Sequence, residues 1–115
     1  MISKTMLEEL LSFRQERDWE KFHTARNLSS AICVEAAELL DIFRWARDSE
    51  IPSILRQYRS EIESGVADVA ILLMYLCHDL NISVEDVVRR KLEINRKKYP
   101  VEKVKSIATK YINLD

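Results

Sequence analysis

Glycine occurs once and proline twice in 115 residues. So few turn-formers exclude a fold built on tight hairpins and favour a small number of long helices. Cysteine is as scarce: Cys33 and Cys77 match no zinc or redox spacing, and both fall in apolar, helix-patterned segments where they are expected as reduced core thiols. An excess of charge of one sign is missing as well. A net charge of -1 supplies no general attraction to a polyanion, so no nucleic-acid partner is expected. No apolar run is both long enough and free enough of flanking charge to cross a bilayer, so no membrane partner is expected either. The first residues, with Lys4, Glu8 and Glu9, lack an apolar core of signal-peptide length, and a cytoplasmic protein is expected.

What is present is 47% hydrophobic and 32% charged, the balance of a globular chain. Its length suits one domain over residues 1–115 with a single modest core. The fold class is all-α, a bundle of four main helices with a C-terminal tail. Met6, Leu7, Leu10, Leu11 and Phe13 give a first amphipathic helix from Thr5 to about Arg17. A polar connector follows, carrying Trp19, Phe22 and His23; its aromatic rings either plug the core or stack on a flat ligand, and a neutral His23 can bond a base, a phosphate or a local carbonyl. Asn27 suits the N-cap of a second helix, Leu28 to about Ala46, with an apolar face of Ile32, Ala36, Leu39, Leu40 and Phe43. Pro52 marks the first turn of a third helix, Ser53 to Leu80 with a break near Ser60. From Val66 to Cys77 that helix is apolar on all sides except at Asp68, which reads as a central core helix carrying one carboxylate. Ser83 to Asp86 resembles a capping box that opens a fourth helix, ended by Pro100. The tail, with Val104, Ile107, Ala108, Tyr111 and Ile112, has a weaker amphipathic pattern suited to docking on the body or on another subunit.

The chemistry concentrates on the second helix. Glu35, Glu38 and Asp41, at i, i+3 and i+6, fall along one side of a helix about a turn apart. Such like charges repel by a few tenths of a kcal/mol per pair at a surface, and by more where water is excluded. A hard divalent cation with oxygen ligands would compensate them, whereas on a plain surface helix Arg44 and Arg47 would serve instead. An isolated carboxylate at Asp68 is costly in a core unless it meets a cation or strong donors. On the fourth helix Lys91, Asn95 and Tyr99 share a face at i, i+4 and i+8, within a basic segment that is either a solvated helix with Glu85/Arg89 and Glu93/Lys97 pairs or a phosphate clamp.

In order along the chain, Glu16-Arg17-Asp18-Trp19 with Phe22-His23, Arg26-Asn27-Leu28, Glu35-x-x-Glu38, Phe43-x-Trp45, Ala67-Asp68-Val69 and Lys91-x-x-x-Asn95-Arg96-Lys97-Lys98-Tyr99-Pro100 resemble the MazG-like nucleoside triphosphate pyrophosphohydrolases, closest to their dCTP pyrophosphatase branch. The resemblance covers nearly the whole chain. It implies Mg²⁺-dependent hydrolysis between the α- and β-phosphates, with Glu35, Glu38 and Asp68 as metal ligands and catalytic carboxylates. It further implies Lys91, Asn95, Arg96 and Tyr99 near phosphate or sugar, and Trp19, His23 and Trp45 around a base, with a pyrimidine deoxynucleotide as first expectation. Assembly as a homodimer or homotetramer is implied too. One position departs from the pattern: Gly65 stands where the family has a metal-binding glutamate. Glu61 shares the face of Asp68 but lies about 10.5 Å along the axis, too far to take the missing place on one Mg²⁺ and placed instead for a second ion or a water. Gly65 is open to two readings, a roomier substrate site or a non-catalytic nucleotide-binding module.

Overall fold

The computed structural model describes residues 2–105, and every regular element in that span is helical. Six α-helices occur there: α1 (Lys4–Glu16), α2 (Ala25–Asp41), α3 (Ile51–Gln57), α4 (Arg59–Asp79), α5 (Val84–Lys98) and α6 (Val101–Val104), with short 3₁₀ turns at Glu20–Phe22 and Asp48–Glu50. The all-α expectation holds. Residues 2–81 form one compact unit and residues 82–105 belong to a second.

In the first unit α4 is the central helix, and α1, α2 and α3 all pack on it. Ser3 caps α1, its Oγ accepting from the Met6 N–H at 3.1 Å. Thr24, rather than Asn27, caps α2: its Oγ1 accepts from the Asn27 N–H at 3.1 Å, so the helix begins three residues earlier than the sequence pattern suggests. The Asn27 side chain turns back instead to the Phe22 carbonyl. The other end also differs. α2 stops at Asp41, and the chain turns through residues 42–45, leaving Trp45 beyond the helix and 82% exposed. The break expected near Ser60 falls at Tyr58, and Pro52 lies in the first turn of α3 as anticipated. Asn81 ends the unit in the left-handed region, at φ 54°, which asparagine tolerates better than most residues.

The inward stripe of α2 is Leu28, Ile32, Glu35, Leu39 and Ile42, each buried or half-buried, whereas Ala36 and Leu40 of the expected apolar face are exposed. Burial along α4 is uneven. Met74, Tyr75 and Cys77 are buried, but Glu61, Val66 and Asp68 are exposed, so Asp68 does not sit in a core as its apolar neighbours imply. The buried residues of the helix lie in its C-terminal half. Cys33 is also exposed, against the expectation of a core thiol; Cys77 is buried and both are free.

In the second unit Ser83 caps α5, its Oγ accepting from the Asp86 N–H at 3.3 Å, and Glu85 and Asp86 in the first turn with Arg96, Lys97 and Lys98 in the last complement the helix dipole. Arg89 pairs with Glu85 at 2.7 Å, while Glu93 pairs with Arg96 rather than with Lys97. From residue 106 the expected amphipathic tail lies outside the described residues.

Candidate active site

Glu35 and Glu38, one turn apart on α2, line a pocket of about 280 Å³ with Glu61, Ser64, Gly65 and Asp68 of α4. Four carboxylates thus border one space, and no Lys, Arg or His is among its lining residues. The electrostatic consequence falls on Glu35. Desolvation first, and then the charge of Glu38, a hydrogen bond with Glu38 and the charge of Asp68, hold its carboxyl above the ordinary value of 4.5. Asp41 is not part of this group; its carboxylate pairs with Arg44 at 2.9 Å.

Gly65 faces Leu39. A Cβ built there would stand 3.1 Å from Leu39 Cδ1 and 3.6 Å from its Cβ, so the glycine lets the inward stripe of α2 close on α4. A larger residue at this position has to displace the end of Leu39.

The donor set suits a hard divalent cation: it is all oxygen, and it is crowded negative charge without a cationic side chain. As the side chains stand, no three Asp, Glu, His or Cys residues among those described converge closely enough to ligate one ion.

A second cavity, about 430 Å³, shares Glu35 and Asp68 with the first and extends over Ile71 and Leu72 to an aromatic wall. The wall is a chain of rings. Phe13 meets Trp19 edge-on at 5.7 Å, Trp19 lies 6.5 Å from His23, and His23 lies 5.2 Å from Tyr75. Phe22 takes no part and is exposed. Below the rings is a feature that sequence reasoning missed. Arg14, 4% exposed, donates to both oxygens of Asp79 at 2.9 and 2.8 Å, and its guanidinium lies 4.6 Å from the Tyr75 ring centroid. Tyr75 donates its hydroxyl to the Leu10 carbonyl at 2.7 Å. The signal was present in the spacing: Leu7, Leu10 and Leu11 place Arg14 on the apolar stripe of α1, where an arginine requires a buried partner.

The structure thus brings together Trp19, His23, Glu35 and Asp68 at one cavity and Glu35, Glu38 and Asp68 at the other. Trp45 borders a different cavity, with Asp41, Tyr58 and Glu61, and its ring stacks under the Arg44 guanidinium at 4.6 Å. Lys91, Asn95 and Arg96 lie on α5 and Tyr99 at its C-terminal cap, within the second unit.

The MazG-like family model matches residues 30–114, a span that contains Glu35, Glu38 and Asp68. The chain belongs to the MazG-like family. A pyrophosphatase of known structure from Archaeoglobus fulgidus shares this MazG-like chain's fold with a TM-score of 0.82 and 42% identity, over 84% of this chain and 91% of that one. Among curated relatives, dCTP pyrophosphatase 1 of Rattus norvegicus is 36% identical over 104 residues and that of Homo sapiens 35%, in each case over 89% of this chain. The chain spans 61% of the length of those two relatives. Among the described residues no single helix is long and apolar enough to cross a membrane.

Proposed function

We propose that this MazG-like chain is a nucleoside triphosphate pyrophosphohydrolase, cleaving between the α- and β-phosphates to give a nucleoside monophosphate and pyrophosphate. The observation that carries the reading is the border that the two cavities share. Glu35 and Asp68 border both, so a base held against Trp19 and His23 leaves its phosphates at the carboxylates. The relatives' names support a deoxynucleoside triphosphate, with dCTP as the first substrate to try. A role in clearing surplus or non-canonical nucleotides, in the cytoplasm, is proposed with it.

MazG-like pyrophosphatases are generally dependent on divalent metal, and Glu35, Glu38 and Asp68 are the residues that would hold Mg²⁺ here, with Glu61 at the edge of the same pocket. Bound there, the cation would neutralise the triphosphate and orient the attacking water. Lys91, Asn95, Arg96 and Tyr99 are proposed to meet phosphate and sugar. Trp45, exposed beyond the end of α2, is proposed to close the base pocket at a subunit contact. The exposed apolar side chains Val34, Leu40 and Val66 support a homodimer or homotetramer. Residues 1–115 are proposed to act as one domain. No nucleic-acid or membrane partner is proposed.

Incubating the folded protein with each deoxynucleoside triphosphate and Mg²⁺, and measuring pyrophosphate and monophosphate, tests the reading. Absence of turnover with all of them refutes it. Gly65 motivates the second reading, a helical module that binds nucleotide without hydrolysing it. Activity that is absent from the parent and created by Gly65→Glu favours the module; a parent that is active and loses turnover on the same change favours the enzyme.

A further inference from the structure

The Arg14–Asp79 pair supports the aromatic cavity from below and touches His23, and the hydrolysis described above makes no use of it. Its geometry constrains that ring. Arg14 Nη1 lies 3.4 Å from His23 Nδ1. A guanidinium carries only donors, so Nδ1 can take part in this contact only as an acceptor, without a proton. A neutral imidazole with a bare Nδ1 carries its proton on Nε2. The arginine cannot swing away to relax the constraint. Both of its terminal nitrogens are held by Asp79, it is 4% exposed, and Tyr75 covers its face. Its Nε is buried without a partner, so the side chain is held for its two ends and not for all its donors. Burial, and then the charge of Arg14, hold His23 below its ordinary value, with Asp79 opposing, which keeps the ring neutral.

We infer that Arg14 is a positioning residue: anchored by Asp79, it fixes His23 as the Nε2–H tautomer, so that the ring offers the cavity a hydrogen-bond donor and recognises an acceptor on the nucleobase edge, a carbonyl oxygen or an unprotonated ring nitrogen. The tautomer stands on the contacts of the free protein. The identity of the acceptor rests on the nucleotide reading of the previous subsection.

The test is long-range ¹H–¹⁵N correlation of the histidine rings in the ¹⁵N-labelled free protein at neutral pH, with His23 assigned by its loss in His23→Gln. The expected spectrum has His23 Nδ1 as an unprotonated, hydrogen-bonded nitrogen and Nε2 as the protonated one; a proton on Nδ1 overturns the inference. The double variant Arg14→Met/Asp79→Leu removes the pair without stranding a buried charge. In it the Nδ1–H form should gain population and the hydrogen-bond displacement of the Nδ1 resonance should vanish, and an unchanged spectrum overturns the positioning role. The same variant should raise KM for the preferred nucleotide several-fold and leave kcat close to the parent's. An unchanged KM with an altered tautomer overturns the recognition of a base acceptor. The parent spectrum alone decides the tautomer, so a variant that fails to fold does not shield the inference. A protein that turns over no nucleotide refutes the pyrophosphohydrolase reading and leaves the spectral result standing.

Discussion

Replacing Gly65 with alanine sets two effects of known sign against each other. Alanine in the interior of α4 should gain about 1 kcal/mol of helix propensity over glycine. Against this, the new methyl would meet Leu39 Cδ1 at 3.1 Å and Leu39 Cγ at 3.8 Å. Overpacking of a tight interface typically costs about 1–3 kcal/mol. Here the cost lies at the low end, because the obstructing atom is the end of a half-buried leucine that also borders an open pocket and needs to move only a few tenths of an ångström. The net gain expected for Gly65→Ala is thus roughly 0.5 kcal/mol or less, far short of the propensity value. The cause can be isolated by a double-mutant cycle with Leu39→Ala, in urea unfolding at fixed protein concentration. In the Leu39→Ala background the same change should stabilise by about 1 kcal/mol, giving a coupling of order 0.5–1 kcal/mol. Equal gains in both backgrounds would refute the packing explanation of Gly65. The cycle also bears on Gly65→Glu, whose Cβ meets the same leucine and whose carboxylate adds a like charge beside the four that border the pocket, so that variant should be less stable than Gly65→Ala in the absence of metal.

Other expectations concern the charged groups. Glu35 is held above its ordinary value, so the folded state binds a proton more readily than the unfolded chain, and stability falls as pH rises from 4.5 through the folded value. Glu35→Gln should therefore raise the metal-free melting temperature at neutral pH. Mg²⁺ should act in the same direction on the parent, by about 2.7 kcal/mol at a hundredfold excess over Kd, and much less on the variant. A parent whose melting ignores Mg²⁺ would count against the carboxylate site. His23 is shifted the opposite way for a base, below its ordinary 6.5; the unfolded chain takes the proton first, so stability is full above 6.5 and declines as pH falls toward the folded value. Urea titrations across that window should show the slope in the parent and a smaller one in His23→Gln. Tyr75→Phe should cost about 1 kcal/mol, because the Leu10 carbonyl loses its donor, and no change in the urea midpoint would refute that bond.

The helical class was legible because one glycine and two prolines leave little else, and Glu35 and Glu38 stood out as crowded carboxylates at helical spacing. Burial was harder to read. The apolar run around Asp68 suggested a core, yet the buried residues of α4, Met74, Tyr75 and Cys77, all lie in its C-terminal half, while Glu61, Val66 and Asp68 in the other half are exposed. Local pattern also misjudged the ends of α2, since both Thr24 and Asn27 are competent caps and only the observed hydrogen bond distinguishes them. Arg14 was overlooked because its partner, Asp79, is 65 residues away, and no local pattern joins them. The same distance separates Tyr75 from Leu10, so the whole support beneath His23 is tertiary in origin.

The uneven burial of α4 has a consequence for motion. Its amides near Tyr75 should exchange with solvent only on cooperative unfolding, while those around Glu61 and Val66 should open by cheaper local excursions. The helix carries both kinds of structure on one backbone, the proposed base-side wall at its stiff end and the proposed acidic ligands at its compliant end. Gathering Glu61 and Asp68 around an ion, or covering them with a second subunit, would then stiffen the half of the helix that is the less buried in this chain. Cation binding and assembly would be felt first as slowed exchange along residues 59–68.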